Sequence, residues 1–305
     1  MVVVGENMKR TFKQKATPYL MILPTLLLLS VFALYPVVLS VFKSLFRWSG
    51  SFETGQGINQ FIWFQNYLTL FQDDVFWQAW GNALFFMVTG LIVNLIFPFL
   101  CGLMIFSIKN GRSAYRWRVA FVAPMVVPSM VIFLLWQFIY DYDIGVINNF
   151  LSLLGFSARI DFLGSPHLVK WAIRFMGFPW VGGTYLLIYL AGLSDIDHSL
   201  REAATIDGAG LLKKIFYIDI PLCKNQFKMV FTLTIIGEIQ DFVKIQTVTG
   251  GGPGYYSYVP GLYMYNIAFN TNEYGLASAL GVIMMLVMLG FSFLSNLIFR
   301  REATD

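Results

Sequence analysis

Charged residues are scarce in this 305-residue chain, where they make up 12% of the sequence, against about 25% in an average soluble domain. Apolar residues make up 57%, and the mean hydropathy is +0.65. So little charge cannot cover a water-exposed surface, which excludes an ordinary soluble domain. The composition predicts a membrane protein.

Cysteine and histidine are also rare, with two of each. Cys101 lies in an apolar run and Cys223 in a polar loop, without metal-ligand spacing around either, so we expect ordinary thiols rather than a disulfide framework or a metal site. His167 and His198 lie at opposite ends of one apolar run, and neither H-E-x-x-H nor G-x-S-x-G occurs. No catalytic residue and no enzyme activity are predicted.

The chain also lacks the nucleotide-binding pattern G-x-x-x-x-G-K-[ST]. Without the backbone cradle and the lysine of that loop, the chain is not expected to hold ATP by the usual route. We predict no bound cofactor, and any energy from ATP has to reach the chain through a partner.

Six long apolar runs are present, each able to form the roughly 20 residues of helix that a bilayer core requires. The first run is too long for a signal-peptide core, and Pro24 and Pro36 interrupt it. The sequence therefore predicts an all-α membrane protein with a single transmembrane domain over residues 1–305. The predicted spans are 19–42, 82–108, 119–140, 167–193, 227–248 and 274–299.

The positions of Lys and Arg predict the orientation, because positive charge collects in cytoplasmic loops. The opposite loops hold only Lys43, Arg47 and Arg159. Both termini are therefore predicted to be cytoplasmic, and the net charge of +4 reflects topology rather than a nucleic-acid partner. The predicted cytoplasmic basic residues are Lys9, Arg10, Lys13, Lys15, Lys109, Arg112, Arg116, Arg118, Arg201, Lys213, Lys214, Lys224, Lys228, Arg300 and Arg301.

Three segments on the predicted outer side of the membrane have recognisable sequence features. Residues 61–80 are aromatic and amphipathic, which is typical of a helix at the membrane interface. Residues 144–156 predict a short surface helix closed by Gly155. The stretch Thr249–Gly254 (TGGGPG) cannot continue a helix and predicts a turn at the outer membrane edge, or a simple loop.

The polar loop 194–226 is predicted to lie on the cytoplasmic side and to hold two short helices. Ser199 and Glu202 fit the S-x-x-E capping box that begins a helix, and Gly208 can take the left-handed conformation that ends one. A second segment, 211–220, has helical spacing and should stop at Pro221. On periodicity alone, this loop is an amphipathic connector.

The same loop also contains a longer and more specific sequence pattern. The letters EAATIDG, nine more residues and IDIP closely resemble the E-A-A-x3-G-x9-I-x-L-P signature of binding-protein-dependent ABC importer permeases, with Ile220 at the usual Leu position. The segment QDFVKIQTVTGGGPGYYSYVPGLYMYNIAFNTNEYGLASALG is similar to the carbohydrate-uptake branch of maltose, glycerol-phosphate and multiple-sugar type, in the subunit that carries T-G-G-G-P. Asp197 replaces a usual Pro, and Ala83 a usual Thr.

The resemblance implies the type I ABC importer permease fold in a bacterial cytoplasmic (inner) membrane. The chain would pass a sugar or oligosaccharide inward by alternating access. Its partners would be a second homologous permease, two cytoplasmic ATPase subunits that bind ATP and Mg, an external substrate-binding protein and membrane lipid. The residues implied to couple to the ATPases are Glu202, Ala203, Ala204, Asp207, Gly208, Ile218 and Pro221.

Polar residues inside two spans predict a substrate pathway, because charge at midbilayer costs about 2.5 to 3.5 kcal/mol and must face protein or water. In span 4, Pro179 should kink the helix, and Lys170 and Arg174 near a span end more often extend to water than contact an anionic substrate. The two predicted helical stripes are Gly177, Trp180 and Thr184 in span 4, and Gly237, Glu238, Gln240, Asp241 and Lys244 in span 5.

Other interpretations of these residues stay open. Asp241 and Lys244 could form an ion pair within the bundle or lie near the outer surface, and Trp180 could be an interfacial anchor or a core residue. The same polar group is also the one feature that favours a different class, an ion-gradient-driven secondary transporter. That alternative does not explain the signature loop.

Overall fold

The computed structural model describes residues 12–50 and 57–299, with side chains from Thr17 onward. The predicted basic flanks Lys9, Arg10, Arg300 and Arg301 lie outside the described residues, as do the side chains of Lys13 and Lys15. The described part is mostly helical, as the sequence predicts.

Three long helices match the first, second and last predicted spans. The first combines α1 (Phe12–Leu29), a π-helical segment (Ser30–Leu34) and α2 (Tyr35–Lys43), the second is α4 (Asp74–Phe106), and the last is α16 (Tyr274–Ile298). Among the described residues, these are the helices long and apolar enough to cross a membrane unbroken. α4 begins before the predicted Asn82 because the Asp73 carboxylate accepts from the Val75 N–H at 2.9 Å and caps the helix.

The third predicted span is bent. α5 (Gly111–Val122) continues into a 3-10 turn (Ala123–Val126), and α6 (Ser129–Ile139) leaves at 88°. Pro128 directly precedes α6 and has no N–H to continue the ladder, which accounts for the position of the break. If the bent pair is one span, it is a fourth helical unit able to cross a membrane in the described part of the chain.

The fourth predicted span is broken rather than kinked at Pro179. α8 (Val169–Phe175) and α9 (Gly183–Ser194) are separated by residues 176–182, in which Trp180 has φ +59°. Two glycines and a proline in the connection disfavour helix, so the break has a local cause. The predicted stripe of Gly177, Trp180 and Thr184 is therefore wrong as a helical face.

The fifth predicted span is interrupted as well. α13 (Lys224–Gln240) ends one residue before Asp241, and α14 (Val243–Val248) follows. The predicted single stripe from Gly237 to Lys244 is wrong for the same reason, because residues on two helix segments no longer share one 3.6-residue period. The glycine turn after α14 is confirmed, with Gly250 at φ +61° and Gly251 at φ +93°.

Several short elements complete the chain. The predicted helix over 61–80 is divided: Phe61 ends a hairpin of β1 (Phe46–Gly50) and β2 (Gly57–Phe61), α3 (Gln65–Gln72) follows, and α4 then starts. α7 (Val146–Leu153) confirms the helix that Gly155, at φ +91°, closes. The sequence did not predict the hairpin or α15 (Pro260–Phe269).

The 194–226 loop contains the two predicted helical segments. The first is α10 (His198–Ile206). The second runs from α11 (Leu211–Lys214) through a π-helical segment (Ile215–Asp219) into α12 (Ile220–Leu222), so it passes Pro221 by one residue instead of stopping there. Pro221 is tolerated because it stands in the first turn of α12.

Two separate apolar clusters lie on either side of the broken spans. One contains Val169 and Ile173 of α8 with Ile245 and Val248 of α14. The other contains Tyr189 and Leu193 of α9 with Val230 of α13 and the buried Cys223. α4 contributes to both, through Phe86 in the first and Phe99 in the second. We call them the α8/α14 cluster and the α9/α13 cluster.

Candidate functional site

Arg174, at the end of α8, forms the most extensively bonded ion pair in the described structure. Its Nη1 donates to Glu238 Oε1 at 2.7 Å and its Nη2 to Glu238 Oε2 at 2.9 Å, so the pair is bidentate. Nε donates to Thr89 Oγ1 at 3.0 Å, and Nη2 also donates to the Phe86 carbonyl. Both charged side chains are 11% exposed. This pair ties α8 and α13 to α4.

A glycine on α4 makes room for the pair. A Cβ on Gly90 would overlap the Glu238 carboxylate, with Oε1 as the nearest atom. The absence of a side chain at this position therefore sets where the Glu238 carboxylate lies and, through it, where the Arg174 guanidinium lies. Sequence reasoning did not find this arrangement and instead expected Arg174 to reach water, which is wrong.

The pair borders a cavity of about 270 Å³ between α4, α6, α8 and α13. Asp241 and Lys244 also line it and pair with each other, Lys244 Nζ lying 2.8 Å from Asp241 Oδ2. This pair is the alternative left open by the sequence, and it is confirmed. The other polar or glycine positions on the lining are Asn94, Gly177, Trp180 and Gly182.

Trp180 lines the cavity, and its indole N–H is already hydrogen-bonded. Its indole Nε1 donates to the Arg174 carbonyl at 3.1 Å, and its ring packs on Phe97 and Phe178 at centroid distances of 4.9 and 5.2 Å. The left-handed backbone of Trp180, in the break between α8 and α9, is what turns the ring toward the cavity. A fixed indole face without a free donor is suited to contact with the C–H surface of a ligand.

The structure brings together Gly177, Trp180, Glu238, Asp241 and Lys244 from the predicted pathway residues. Thr184, Gly237 and Gln240 are exposed and do not line this cavity. Sequence reasoning missed Arg174, Thr89 and Asn94. Thr89 and Asn94 could have been noticed, because they are polar residues within an apolar run. Their partners, however, cannot be inferred from the sequence.

A second polar contact ties α8 to the segment after the glycine turn. Lys170 Nζ donates to Asn82 Oδ1 at 3.2 Å, and Asn82 Nδ2 donates to the carbonyls of Tyr255 and Tyr258 at 2.8 and 2.9 Å. Asn82 is 3% exposed. Lys170 therefore helps hold the TGGGPG region against α4 and α8.

In the 194–226 loop, the N-cap of α10 lies two residues earlier than predicted. The Asp197 carboxylate accepts from the Ser199 N–H at 2.9 Å and is the N-cap, so the predicted Ser199–Glu202 capping box is wrong. Asp and Ser are equally good caps, and Asp197 is the residue that replaces the usual Pro. Hydrogen bonds from Ser199, chiefly from its backbone, lower the pKa of Asp197.

The end of α10 is confirmed at Gly208, which has φ +74°. The Gly208 N–H donates to the Thr205 carbonyl at 3.1 Å and the Ala209 N–H to the Ala204 carbonyl at 2.8 Å. These two bonds are the Schellman pattern, in which the left-handed residue satisfies the last carbonyls of a helix. α10 is therefore a compact helix with both ends satisfied.

One ion pair joins α10 to the following helical segment. Arg201 Nη2 donates to Asp219 Oδ2 at 3.1 Å, and the guanidinium lies 4.9 Å from the centre of the Phe106 ring at the end of α4. The Asp219 side chain is fully buried, and burial raises its pKa against the opposing effect of Arg201. Among the described residues, Asp219 Oδ1 has no hydrogen-bond partner.

One face of α10 is exposed in the described structure. Glu202, Ala203, Asp207 and Gly208 are exposed, and Ile206 is 87% exposed, although it is a large apolar residue. Of the other predicted coupling residues, Ala204 and Ile218 are half-buried and Pro221 is exposed.

Known proteins with similar sequences and structures are transporters. The family described as "Binding-protein-dependent transport system inner membrane component" matches residues 99–303. The sulfoquinovosyl glycerol transport system permease protein of Agrobacterium fabrum is 32% identical over 269 residues, covering 87% of this chain and 84% of that protein.

A second relative and a solved structure cover almost the whole chain. The trehalose/maltose transport system permease protein of Thermococcus litoralis is 30% identical over 285 residues, covering 93% of this chain and 94% of that protein. The structure is a bacterial alginate ABC transporter in complex with alginate pentasaccharide-bound periplasmic protein. It matches with a TM-score of 0.82 at 22% identity and covers 98% of this chain and 99% of that one.

Proposed function

Because the chain belongs to the family of binding-protein-dependent transport system inner membrane components, we propose that it is a permease subunit of an ATP-driven sugar importer. The substrate class is a sugar or oligosaccharide, supported by relatives named for sulfoquinovosyl glycerol and for trehalose/maltose transport. The observation that carries the coupling part is α10, a short helix capped at both ends whose outward face exposes Glu202, Ala203 and Ile206.

In this proposal the chain has six spans in a bacterial cytoplasmic membrane, with both termini in the cytoplasm. The broken spans 4 and 5 each count as one crossing made of two helices. The loops rich in Lys and Arg support this orientation. The breaks are acceptable within a membrane because they adjoin the 270 Å³ cavity rather than lipid, so their freed backbone groups can meet protein or water.

The partners are a second homologous permease, two cytoplasmic ATPase subunits and an external substrate-binding protein. ATP and Mg bind at the ATPases. α10 docks on an ATPase and moves as a rigid body, because the Asp197 cap and the Schellman end at Gly208 satisfy its two ends, and the Arg201–Asp219 pair connects it to the following helical segment. That movement opens the cavity alternately to the two sides, and Gly177, Trp180, Glu238, Asp241 and Lys244 line the route.

The test is uptake by the purified complex in vesicles, with both permeases, both ATPase subunits and the external binding protein. The tracer is the radiolabelled sugar, from a panel of neutral and acidic mono- and oligosaccharides, that most raises the thermal stability of the external binding protein. We expect accumulation only with ATP on the side that holds the ATPases. Uptake that follows an imposed proton or sodium gradient without ATP would instead support a secondary transporter.

Docking is tested by Ala203→Trp, since a large side chain there keeps α10 away from a partner surface. We expect loss of ATPase co-purification. Ala158→Trp is the matched control, because Ala158 is an equally exposed alanine in an outer segment. Equal co-purification of both variants with the ATPase would disprove the role of α10.

A further inference from the structure

The cavity contains charged residues but offers almost no free charge. Its described lining has two cations and two anions, Arg174 and Lys244 with Glu238 and Asp241. Each cation is paired with an anion of this same chain, at 2.7 Å for Arg174 with Glu238 and at 2.8 Å for Lys244 with Asp241. The lining is therefore neutral as a whole and neutral within each pair.

The hydrogen-bond donors of Arg174 are nearly all in use. A guanidinium has five N–H donors. Nε uses one on Thr89, Nη1 uses one on Glu238, and Nη2 uses two, on Glu238 and on the Phe86 carbonyl. The two parallel donors that would bind a carboxylate or sulfonate of a ligand are already on the Glu238 carboxylate. Arg174 cannot act as an anion site while this pair holds.

The second pair presents its acidic partner to the cavity. The Asp241 side chain is 35% exposed and the Lys244 side chain 17%. A partly exposed carboxylate accepts hydrogen bonds from hydroxyl groups, and its pairing with Lys244 leaves that cation without a free anion-binding face. With the Trp180 ring on the same wall, the accessible features are acceptors and an aromatic face, which together suit an uncharged ring that carries hydroxyl groups.

We propose that this chain selects an uncharged, hydroxyl-rich sugar segment and that Glu238 determines this selectivity by occupying Arg174. The inference rests on the proposed function and narrows its substrate class. Removing the Glu238 charge opens the Arg174 donors and creates an anion site in the pathway.

The experiment uses the complete complex in vesicles and the tracer chosen as above. Glucuronate is added on the side that holds ATP, and glucose and chloride at the same millimolar concentration are the controls. Wild-type uptake should not respond to glucuronate. Glucuronate should inhibit Glu238→Gln at a concentration roughly tenfold lower than any that affects the wild type, the change in affinity expected when one charge-assisted hydrogen bond becomes available to a ligand.

The double variant Arg174→Gln/Glu238→Gln is the matched control. It has the same charge balance as the wild type and no guanidinium, so it should not respond to glucuronate. Inhibition of the wild type or of the double variant to the same extent as the single variant would overturn the proposal. The proposal would also be overturned if the Glu238→Gln complex assembled and its uptake were not inhibited by glucuronate.

A measurement on the wild type alone tests the proposal even if the Glu238→Gln variant does not fold. The tracer that the wild-type complex accumulates with ATP should be neutral, and a size-matched uronide should not accumulate. ATP-driven uptake of a uronide would overturn the selectivity while leaving the importer function intact. Absence of ATP-driven uptake of every sugar in the panel would instead refute the importer function itself.

Discussion

The two buried arginine–carboxylate pairs among the described residues differ in how completely they are bonded. Arg174 and Glu238 meet in a bidentate pair, and Thr89 and Phe86 accept the remaining bonds. Arg201 and Asp219 share one bond, and Asp219 Oδ1 has no partner in the described part of the chain. A fully bonded pair fixes one geometry, whereas a partly bonded pair leaves its carboxylate able to change partner or protonation. The first suits a cavity wall and the second a connection that moves.

Arg174→Ala should have the largest effect on stability. It leaves the Glu238 carboxylate, 11% exposed, without its cation, and breaking a buried pair from one side costs about 3 to 5 kcal/mol. Thermal unfolding of the purified protein in detergent measures the loss. The double variant Arg174→Gln/Glu238→Gln should lose much less, and an equal loss in both would show that the charge pairing is not what stabilises the site.

Arg201→Gln should cost less, about 1.5 to 3 kcal/mol for a hydrogen bond to a charged group, and the loss should depend on pH. Burial already raises the pKa of Asp219, and Arg201 opposes that shift, so the variant raises the pKa further. A carboxyl whose folded pKa exceeds its unfolded pKa loses stability as pH rises through the folded value. The unfolding temperature of the variant relative to wild type should therefore be lower at pH about 8 than at pH about 5.

The control for that prediction is Arg201→Gln/Asp219→Asn, which has no carboxyl to titrate at this position. Its stability relative to wild type should change less between the two pH values than that of Arg201→Gln. A penalty for Arg201→Gln that stays constant across this range would mean that Asp219 is not the group responsible.

Gly90→Ala tests whether the first pair depends on its close fit. The added methyl overlaps the Glu238 carboxylate, and we expect a net loss of about 1 to 2 kcal/mol after the gain in helix propensity. Gly81→Ala is the matched control on the same helix, because a Cβ there meets no atom within 4 Å. Unfolding temperatures should fall for the first and stay level or rise for the second.

Gly208→Ala tests the end of α10, with an effect confined to that helix. An alanine at φ +74° costs about 1 to 2 kcal/mol of local stability. The readout is hydrogen exchange at the Gly208 and Ala209 amides, which should accelerate. Gly210→Ala, at φ −68° with no atom near its Cβ, should leave exchange in α10 unchanged.

Asp197→Ala against Ser199→Ala gives the smallest expected difference and identifies the cap of α10. Asp197 accepts the bond from the Ser199 backbone, so only its removal should speed exchange in the first turn of the helix. Faster exchange in Ser199→Ala alone would restore the capping box that the sequence suggested.

The sequence patterns predicted what depends on local composition. Long apolar runs identified the three unbroken helices. Glycine is favoured where φ is positive, which is why the sequence located the chain turns at Gly155, Gly208 and TGGGPG. Pro179 located the disturbance in span 4 but not its extent, since a kink and a complete break share the same local signal. The cap of α10 was misplaced because Asp197 and Ser199 are both good caps, two residues apart.

What escaped prediction depends on packing between distant segments. Arg174 and Glu238 are 64 residues apart in sequence, and no pattern in either segment shows that α8 and α13 both lie against Gly90 of α4. An arginine near the end of an apolar run is ordinarily expected to reach water. Only the tertiary arrangement supplies the four acceptors that keep it inside.

Both broken spans divide at the boundary between the α8/α14 cluster and the α9/α13 cluster. α4 passes unbroken through both clusters, and the 194–226 loop contacts its end through Arg201 and Phe106 as well as joining α9 to α13. If α10 docks on an ATPase as proposed, its movement reaches the α9/α13 cluster first, and spans 4 and 5 have breaks at which to bend whereas α4 has none.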